Sequence, residues 1–166
     1  HYLRKHHLTL PEIQATIKKI HPFPGAMEFL DKIRPLTQFV IISDTFTQFV
    51  TPLMRRLGWP TILCNELITD KRGEITGWHM RASNSKYKTV TAFQFIGYDT
   101  IAMGDSYNDI GMIEGSQAGF LFRTTDEIKK THPHIPAYDD YDELFEAIKE
   151  ALDQDYSEFG NQVVTG

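Results

Sequence analysis

Residues 101–115, IAMGDSYNDIGMIEG, decide the fold class of this 166-residue chain. A short apolar run ends at a glycine and is followed directly by Asp105, Asn108 and Asp109. An uninterrupted apolar run of this length is typical of a strand that is covered on both faces, as in a parallel sheet. Because a helix is predicted for residues 108–115, the acids lie where a buried strand passes into a helix.

The order of strand and helix recurs along the chain. Apolar runs predict further strands at 38–44, 61–64 and 118–122, and helical spacing predicts helices at 9–20, 26–36, 46–58, 85–97 and 139–152. Residues 65–81 alternate polar and apolar types around DKRG, a pattern typical of a β-hairpin. The alternation favours an α/β fold with a doubly wound, parallel, Rossmann-like sheet, in which ligands bind beyond the carboxyl ends of the strands.

Composition and charge exclude several classes of protein. Apolar residues make up 41% of the chain and charged residues 23%, as in ordinary globular domains. A net charge of −5 argues against a nucleic-acid partner. We expect no membrane partner and a cytoplasmic location, because the sequence shows neither a secretory leader nor an apolar run of roughly 20 residues. The single cysteine, Cys64, is predicted to be a core residue.

The acids after the strand at 99–104 are candidates for a metal site. Asp105 follows the strand directly, and Asn108 and Asp109 lie on the first helical turn. Carboxylate and carbonyl oxygens are the ligands that Mg²⁺ prefers. The alternative is an aspartate that caps the helix. A cap explains one acid, whereas two acids and an amide together favour Mg²⁺ binding.

A second candidate is the end of the strand at 38–44. Ser43 ends an apolar run, and Asp44 and Thr45 follow it. A hydroxyl beside free backbone N–H groups forms an anion site. The same three residues would also suit the cap of the following helix, so both interpretations stay open.

A third candidate is Lys86, close to the start of the helix at 85–97. Cations prefer the other end of a helix, so this position is unfavourable unless the lysine reaches an anion. Lys88 is the competing candidate, and an ordinary surface lysine is the third interpretation.

The segments IISDTF, Lys86 and GDSYND, in this order, resemble the second, third and fourth motifs of the haloacid dehalogenase superfamily of phosphatases and phosphotransferases. SDTF, PLMRRLG, PTILCNEL, GDSYND and AGFLF are similar, more narrowly, to the family of bifunctional phosphoserine phosphatases/phosphoserine:homoserine phosphotransferases. The resemblance extends from about residue 1 to about residue 148.

The resemblance implies a reaction and a cofactor. A phosphoryl group would pass from phosphoserine to an aspartate of the enzyme, and then to water or to the hydroxyl of homoserine. Asp105 would be a Mg²⁺ ligand, and Asp109 would support the metal directly or from nearby. Lys86 precedes Asp105 by 19 residues, one helix and one strand, which favours it over Lys88.

The resemblance also implies the residues that hold the phosphoryl group. Ser43, with Asp44 and Thr45 beside it, would bind the phosphoryl oxygens. Lys86 would be the catalytic residue that neutralises charge on the phosphoryl group and the nucleophile, and Asn108 would bind the phosphate side of the substrate. These roles suit phosphoryl transfer, which depends on positioning and charge stabilisation.

The first motif of the superfamily, a strand ending in the nucleophilic aspartate, is expected upstream of Ser43. The only aspartate there is Asp31, within a predicted helix. Asp140-Tyr141-Asp142 has the Asp-x-Asp pattern of the motif, but it is predicted to start a helix. We therefore expect that this chain lacks the nucleophile and has no phosphatase turnover alone.

The same resemblance predicts the domain organisation. Residues 1–23 would be the C-terminal part of a helical cap, residues 24–152 an α/β core without its first strand, and residues 153–166 a loose tail. Roughly 45 to 50 residues, enough for one strand and several helical turns, would precede His1.

Two other functions stay open at this stage. One is a catalytically silent module that binds Mg²⁺ and a phosphorylated ligand, and the other is a phosphatase of a different small phosphate monoester. A homodimer is allowed, with the hairpin at 65–81 as a dimerisation flap, a lid or an ordinary sheet extension. Arg55, Arg56 and Arg81 could contact a substrate carboxylate, but they are predicted to be surface residues, and none is placed in the site.

Overall fold

The structure is a computed structural model that describes residues 10–17 and 21–154. The chain divides into two compact units, with the boundary between Ser83 and Asn84. Helices alternate with strands in both units, and parallel strand pairs occur in both, so the predicted α/β class is confirmed. Most of the predicted cap remnant at 1–23 and nearly all of the predicted tail at 153–166 lie outside the described residues.

The N-terminal unit contains three helices and three strands in the described part of the chain. They are α1 (Leu10–Ile17), α2 (Ala26–Ile33), β1 (Val40–Phe46), α3 (Thr47–Arg56), β2 (Thr61–Thr69) and β3 (Ile75–His79). The sheet order is β1-β2-β3, with β1 and β2 parallel and β2 and β3 antiparallel. The predicted hairpin is therefore confirmed, although TILC and the first arm of the hairpin form one continuous strand.

Gln48 of α3 hydrogen-bonds to β2 at Leu67, past the last residue of β2 that pairs with β1. Its side-chain amide donates to the Leu67 carbonyl at 2.9 Å, and its side-chain oxygen accepts from the Leu67 N–H at 2.9 Å. The glutamine side chain thus satisfies both backbone groups of Leu67, as a neighbouring strand would.

Pro52 lies inside α3 and has no N–H to donate to the Gln48 carbonyl four residues earlier. Gln14 of α1 donates its side-chain amide to that carbonyl at 2.9 Å. The proline therefore creates an acceptor that attaches α1 to α3.

The apolar core of this unit comes from α2, α3 and β2. Phe29 and Ile33 of α2 are buried on one face, as their spacing predicts, together with Met54 and Leu67. Cys64 is 2% exposed, so the structure supports its interpretation as a core residue. Each large apolar side chain of this kind contributes about 1.5–3 kcal/mol when it is removed from water.

The C-terminal unit contains a second sheet. Its elements are α4 (Ser85–Phe95), β4 (Ile101–Gly104), a 3₁₀ turn (Tyr107–Asp109), α5 (Ile110–Glu114), β5 (Ala118–Phe122), α6 (Asp126–Thr131), β6 (Ala137–Tyr138) and α7 (Tyr141–Leu152). The three strands pair in parallel in the order β4-β5-β6. Leu121 of β5 and Leu144 of α7 are completely buried and mark the centre of its core.

Two elements of this unit were not predicted, and one begins differently. Helix α6 has six residues and strand β6 has two, too few for a periodic signal in the sequence. Thr125 caps α6 by accepting a hydrogen bond from the Ile128 N–H at 3.3 Å. The helix predicted from residue 108 starts as the 3₁₀ turn, because the side chain of Asp109 pairs with the preceding loop.

The described strands form two three-stranded sheets, in contrast to the single sheet that the alternation suggested. Over residues 10–17 and 21–154, no helix combines the length and the hydropathy needed to cross a bilayer.

Candidate active site

The loop that follows β4 presents Asp105 to solvent. Its side chain is exposed, and within the described ranges no side chain or N–H group pairs with its carboxylate. Its backbone, by contrast, is held: the Thr124 hydroxyl donates to the Asp105 carbonyl at 2.6 Å. An open carboxylate on an anchored backbone is available to a ligand or a cation.

Asp109 is buried, at 5% exposure, and holds the same loop together. Its Oδ2 accepts hydrogen bonds from the N–H groups of Asp105 and Ser106, each at 3.1 Å, and from the Ser106 hydroxyl at 2.8 Å. This is the helix-capping role that the sequence offered as an alternative for one of the acids. It accounts for Asp109 and leaves Asp105 unexplained by capping.

Lys86 reaches the other oxygen of Asp109. Its Nζ lies 2.5 Å from Asp109 Oδ1, and the two side chains are only 12% and 7% exposed. Burial of Asp109 raises its pKa, but the hydrogen bonds and charge of Lys86, with the hydrogen bonds of Ser106, outweigh this and lower the pKa of Asp109 below its ordinary value. Lys88 is exposed, whereas Lys86 is paired with Asp109; the role of Lys86 at the site stays a prediction.

Gly104 makes this arrangement possible, and the sequence analysis did not single it out. A Cβ at this position would lie 2.6 Å from Asp109 Oδ2, closer than real Cβ atoms approach an oxygen. The carboxylate of Asp109 therefore occupies the space that any other residue at 104 would need. The glycine that precedes the first acid in GDSYND was the available signal.

Asn108 lies on the exposed side of the same loop. The Ser106 hydroxyl lies within hydrogen-bonding distance of Asn108 Oδ1 as well as of Asp109 Oδ2, and its single hydrogen can be donated to either oxygen. Asp105, Asn108 and Asp109 thus lie together after β4, at the carboxyl end of the strand where the sheet rule places ligands. Lys86 of α4 reaches this segment through its contact with Asp109.

Ser43, Asp44 and Thr45 lie within β1 and not after it, which corrects the predicted strand end at residue 44. The pairing of β1 with β2 is interrupted here: Ile42 pairs with Leu63 and Phe46 with Asn65, so three residues of β1 face one of β2. The Thr45 N–H donates to Ser43 Oγ at 3.3 Å. This is a local distortion of the type that redirects backbone groups beside functional sites.

The capping alternative for these residues is wrong. Phe46 is the N-cap of α3, and no side chain forms a cap hydrogen bond there.

Asn65 is the residue at this position that the sequence analysis missed. It is 5% exposed, donates from Nδ2 to the Asp44 carbonyl at 2.9 Å, and accepts from the Arg81 N–H at Oδ1 at 3.0 Å. The sheet rule pointed to the segment after TILC, and a polar residue directly after a buried strand was the signal.

The aspartates considered for the first motif do not follow strands. Asp31 lies in α2 and pairs with Arg34 at 3.3 Å on the surface. Asp140 is the N-cap of α7, accepting from the N–H groups of Asp142 at 2.8 Å and Glu143 at 3.3 Å. The sequence interpretation of both as helix residues is confirmed.

The three arginines considered as substrate ligands have other contacts. Arg55 lies over the ring of Trp59, 5.9 Å from its centroid, and Arg56 hydrogen-bonds His21 at 2.8 Å. Arg81 donates from Nε to the Cys64 carbonyl at 2.6 Å.

A Mg²⁺ ion fits the donor set in a limited way. In the described part of the chain, no three His, Cys, Asp or Glu side chains converge as a metal cage. Mg²⁺ commonly uses only one or two carboxylates and completes its octahedron with water and phosphate oxygens. The exposed carboxylate of Asp105 could provide one such ligand, and Asp109, with both oxygens already hydrogen-bonded, would suit a supporting position.

The sequence matches known proteins along most of its length. A profile described as haloacid dehalogenase-like hydrolase matches residues 4–114. A protein named phosphoserine phosphatase from Pseudomonas syringae pv. tomato is 44% identical over 142 residues, which cover 86% of this chain and 60% of that protein. Phosphoserine phosphatase ThrH from Pseudomonas aeruginosa is 42% identical over 142 residues, 86% of this chain and 69% of that protein. The chain thus spans less than two thirds of the length of the first relative.

Solved structures share the fold. A phosphoserine phosphatase in apo form aligns with a TM-score of 0.68 and 23% identity, covering 86% of this chain and 73% of that chain. A substrate-bound phosphoserine phosphatase complex aligns with a TM-score of 0.69 and 24% identity, covering 86% and 70%.

Proposed function

This chain belongs to the haloacid dehalogenase-like hydrolase family, and on that premise we propose that it serves the hydrolysis of phosphoserine to serine and phosphate. The observation that supports this most is the buried Lys86–Asp109 pair beside the open carboxylate of Asp105. That arrangement occurs in a chain 44% identical to a phosphoserine phosphatase. A cation held beside an open carboxylate suits a phosphate monoester, whose charge must be neutralised during transfer.

Each residue has a role that its contacts allow. The Lys86 ammonium, oriented by Asp109, would neutralise the phosphoryl group. The Ser43 hydroxyl and the N–H of Thr45 would hold phosphoryl oxygens. Asp105 would hold Mg²⁺, which when bound withdraws charge from the phosphate oxygens. Asn108, on the exposed side of the loop, would contact the phosphate side of the substrate.

Water and homoserine are the two acceptors to distinguish. We propose water as the principal acceptor, in keeping with the names of the two curated relatives. Transfer to homoserine, the cytoplasmic location and the homodimer stay predictions.

Asp31 lies in α2 and Asp140 caps α7, so neither follows a strand as the nucleophile of the first motif would. We infer that the 166-residue polypeptide alone releases no phosphate. The same observation favours a second candidate function, a silent module that binds phosphoserine and Mg²⁺ without turnover.

The test has two parts. The 166-residue chain is titrated with phosphoserine, with serine as the control ligand, and phosphate release is measured with Mg²⁺ and with EDTA. We expect phosphoserine to bind, serine to bind at least tenfold more weakly because it lacks the charge-assisted phosphate contacts, and no phosphate to be released. Equal affinity for both ligands would refute the proposed function, and release by this chain would refute the inference about the nucleophile.

If the coding sequence continues upstream of His1, the longer product separates the two candidate functions. Mg²⁺-dependent phosphate release identifies a phosphatase, whereas binding without release identifies the silent module. Addition of homoserine, with detection of phosphohomoserine, measures transfer in the same assay.

A further inference from the structure

The distortion in β1 leaves a gap in the sheet. The pairing register of β1 with β2 is interrupted at residues 43–45, between the pairs Ile42–Leu63 and Phe46–Asn65. Ser43 and Thr45 are half-buried and Asp44 is exposed, so backbone groups outside the regular ladder here pair with side chains or with water. The question is therefore what holds this segment in one conformation.

The side chain of Asn65 fills the gap. Its Nδ2 donates to the Asp44 carbonyl at 2.9 Å, in place of the strand N–H that a regular ladder would provide. Its Oδ1 accepts from the Arg81 N–H at 3.0 Å, so donor and acceptor are both used and the amide has one orientation. The side chain is 5% exposed, which protects both hydrogen bonds from competition by water.

The backbone of Asn65 is held as well. The Thr47 hydroxyl donates to the Asn65 carbonyl at 3.1 Å, and Arg81 Nε donates to the preceding carbonyl, that of Cys64, at 2.6 Å. These two hydrogen bonds fix the backbone that carries the Asn65 side chain, and so fix the position of its amide relative to the Asp44 carbonyl.

The direction of one peptide group follows from this contact. The Asp44 carbonyl and the Thr45 N–H belong to the same peptide, and no peptide bond in the described residues is cis. In a trans peptide, C=O and N–H point in opposite directions. Anchoring the carbonyl on Asn65 therefore turns the Thr45 N–H away from Asn65 and toward Ser43 Oγ, to which it donates at 3.3 Å.

We propose that Asn65 is a positioning residue: its amide sets the direction of the Asp44–Thr45 peptide and so aims the Thr45 N–H, beside Ser43 Oγ, at a phosphoryl oxygen. This rests on the proposed function for the anion contact, and on the structure alone for the peptide direction. Asn65 itself does not touch the substrate.

Substitutions at Asn65 separate this role from ordinary packing. Asn65→Asp keeps an acceptor for the Arg81 N–H but replaces the donor to Asp44 with a carboxylate oxygen, which repels the carbonyl. Asn65→Ser is the second variant, too short to reach Asp44 and small enough to be accommodated. Thr51→Val is the matched control, since it removes a half-buried hydrogen bond in α3, Thr51 Oγ1 to the Thr47 carbonyl at 2.7 Å, without contact to Asp44.

The measurement uses the ¹⁵N-labelled 166-residue chain, with the Thr45 amide as the probe and inorganic phosphate as the ligand. Without ligand, we expect either Asn65 variant to increase the hydrogen-exchange rate of the Thr45 amide at least tenfold over the control. On titration, we expect the dissociation constant for phosphate to rise about tenfold, because one oriented N–H contact to an anion is lost.

Each outcome is decisive. Unchanged Thr45 exchange and phosphate affinity within twofold of the wild type would overturn the proposal while leaving the proposed function intact. If phosphate does not shift the Thr45 resonance in the wild-type chain, the anion contact fails. The ligand-free exchange rate then decides whether Asn65 sets the peptide direction.

Discussion

Lys86 Nζ and Asp109 Oδ1 lie 2.5 Å apart, and both side chains are almost buried. Lys86 comes from the first turn of α4 and Asp109 from the 3₁₀ turn after β4. The other oxygen of Asp109 accepts from the N–H groups of Asp105 and Ser106, so the lysine is held by a carboxylate that is itself held by the loop. The proposed phosphate-binding cation and the proposed metal ligand therefore share one support.

Removal of the lysine tests this support. We expect Lys86→Met to lower the free energy of unfolding by about 2–3 kcal/mol, because it leaves the buried carboxylate of Asp109 without its cation. Lys88→Met, two residues along the same helix on an exposed side chain, is the control and should change stability by less than about 0.5 kcal/mol. Urea denaturation of the 166-residue chain measures both. Equal effects of the two substitutions would contradict the importance of the pair.

A methyl group at Gly104 tests the close approach of Asp109. We expect Gly104→Ala to destabilise the fold by about 1–3 kcal/mol, since the new Cβ would lie 2.6 Å from Asp109 Oδ2. Gly111→Ala is the matched control within α5, where a Cβ would meet only Tyr87 Cβ at 3.9 Å. The control should be neutral or stabilising by about 0.5–1 kcal/mol, because alanine is the better helix residue. Thermal unfolding distinguishes the two, and a harmless Gly104→Ala would refute the steric argument.

The lowered pKa of Asp109 predicts an acid-dependent loss of stability. Burial raises the pKa of Asp109, the contacts of Lys86 and Ser106 lower it by more, and the net shift is downward. The unfolded chain therefore binds the proton more tightly than the folded chain. The stabilisation is present above the ordinary value of about 3.9 and is lost as the pH falls through the lowered folded value.

Unfolding in urea between about pH 6 and pH 2, in EDTA, measures this dependence. We expect the wild-type free energy of unfolding to fall more steeply with acidification than that of Asp109→Asn. Parallel curves would show that Asp109 does not contribute to the acid sensitivity.

The contact of Thr124 with the Asp105 backbone predicts an effect on metal binding. Thr124→Val removes the hydroxyl that donates to the Asp105 carbonyl at 2.6 Å, and we expect about tenfold weaker Mg²⁺ binding by the isolated chain. Thr124→Ser keeps the hydroxyl and should retain affinity within about twofold, which separates the hydrogen bond from packing. Thr131→Val, in α6, is the control. Isothermal titration with Mg²⁺ gives the result, and equal affinity of all variants would contradict it.

Much of the fold could be predicted from the sequence because its signals are periodic. The strand at 118–122 was located at its observed bounds, and the long helix after Asp140 was found from its apolar spacing and its acidic first turn. Helix α6 and strand β6 were not predicted, because elements of six and two residues are too short to show a periodic pattern of apolar residues.

The site residues were predictable where several polar and charged side chains lie close together in the sequence. GDSYND contains Asp105, Asn108 and Asp109 within five residues, and Lys86 was preferred to Lys88 from its spacing to that segment. Asn65 could not be assigned a role in the same way, because its partners Asp44 and Arg81 are 21 and 16 residues away and meet it only through strand pairing.

The Lys86–Asp109 pair joins residues 23 apart in the chain, and the Thr124–Asp105 contact joins residues 19 apart. Closing loops of this length costs little entropy and precedes the pairing of distant segments during folding. The support for the proposed cation and metal ligand therefore assembles from a single contiguous stretch, residues 86–124. Such a stretch can reach its native arrangement early, as a nucleus to which β6, the third strand of the same sheet, is added.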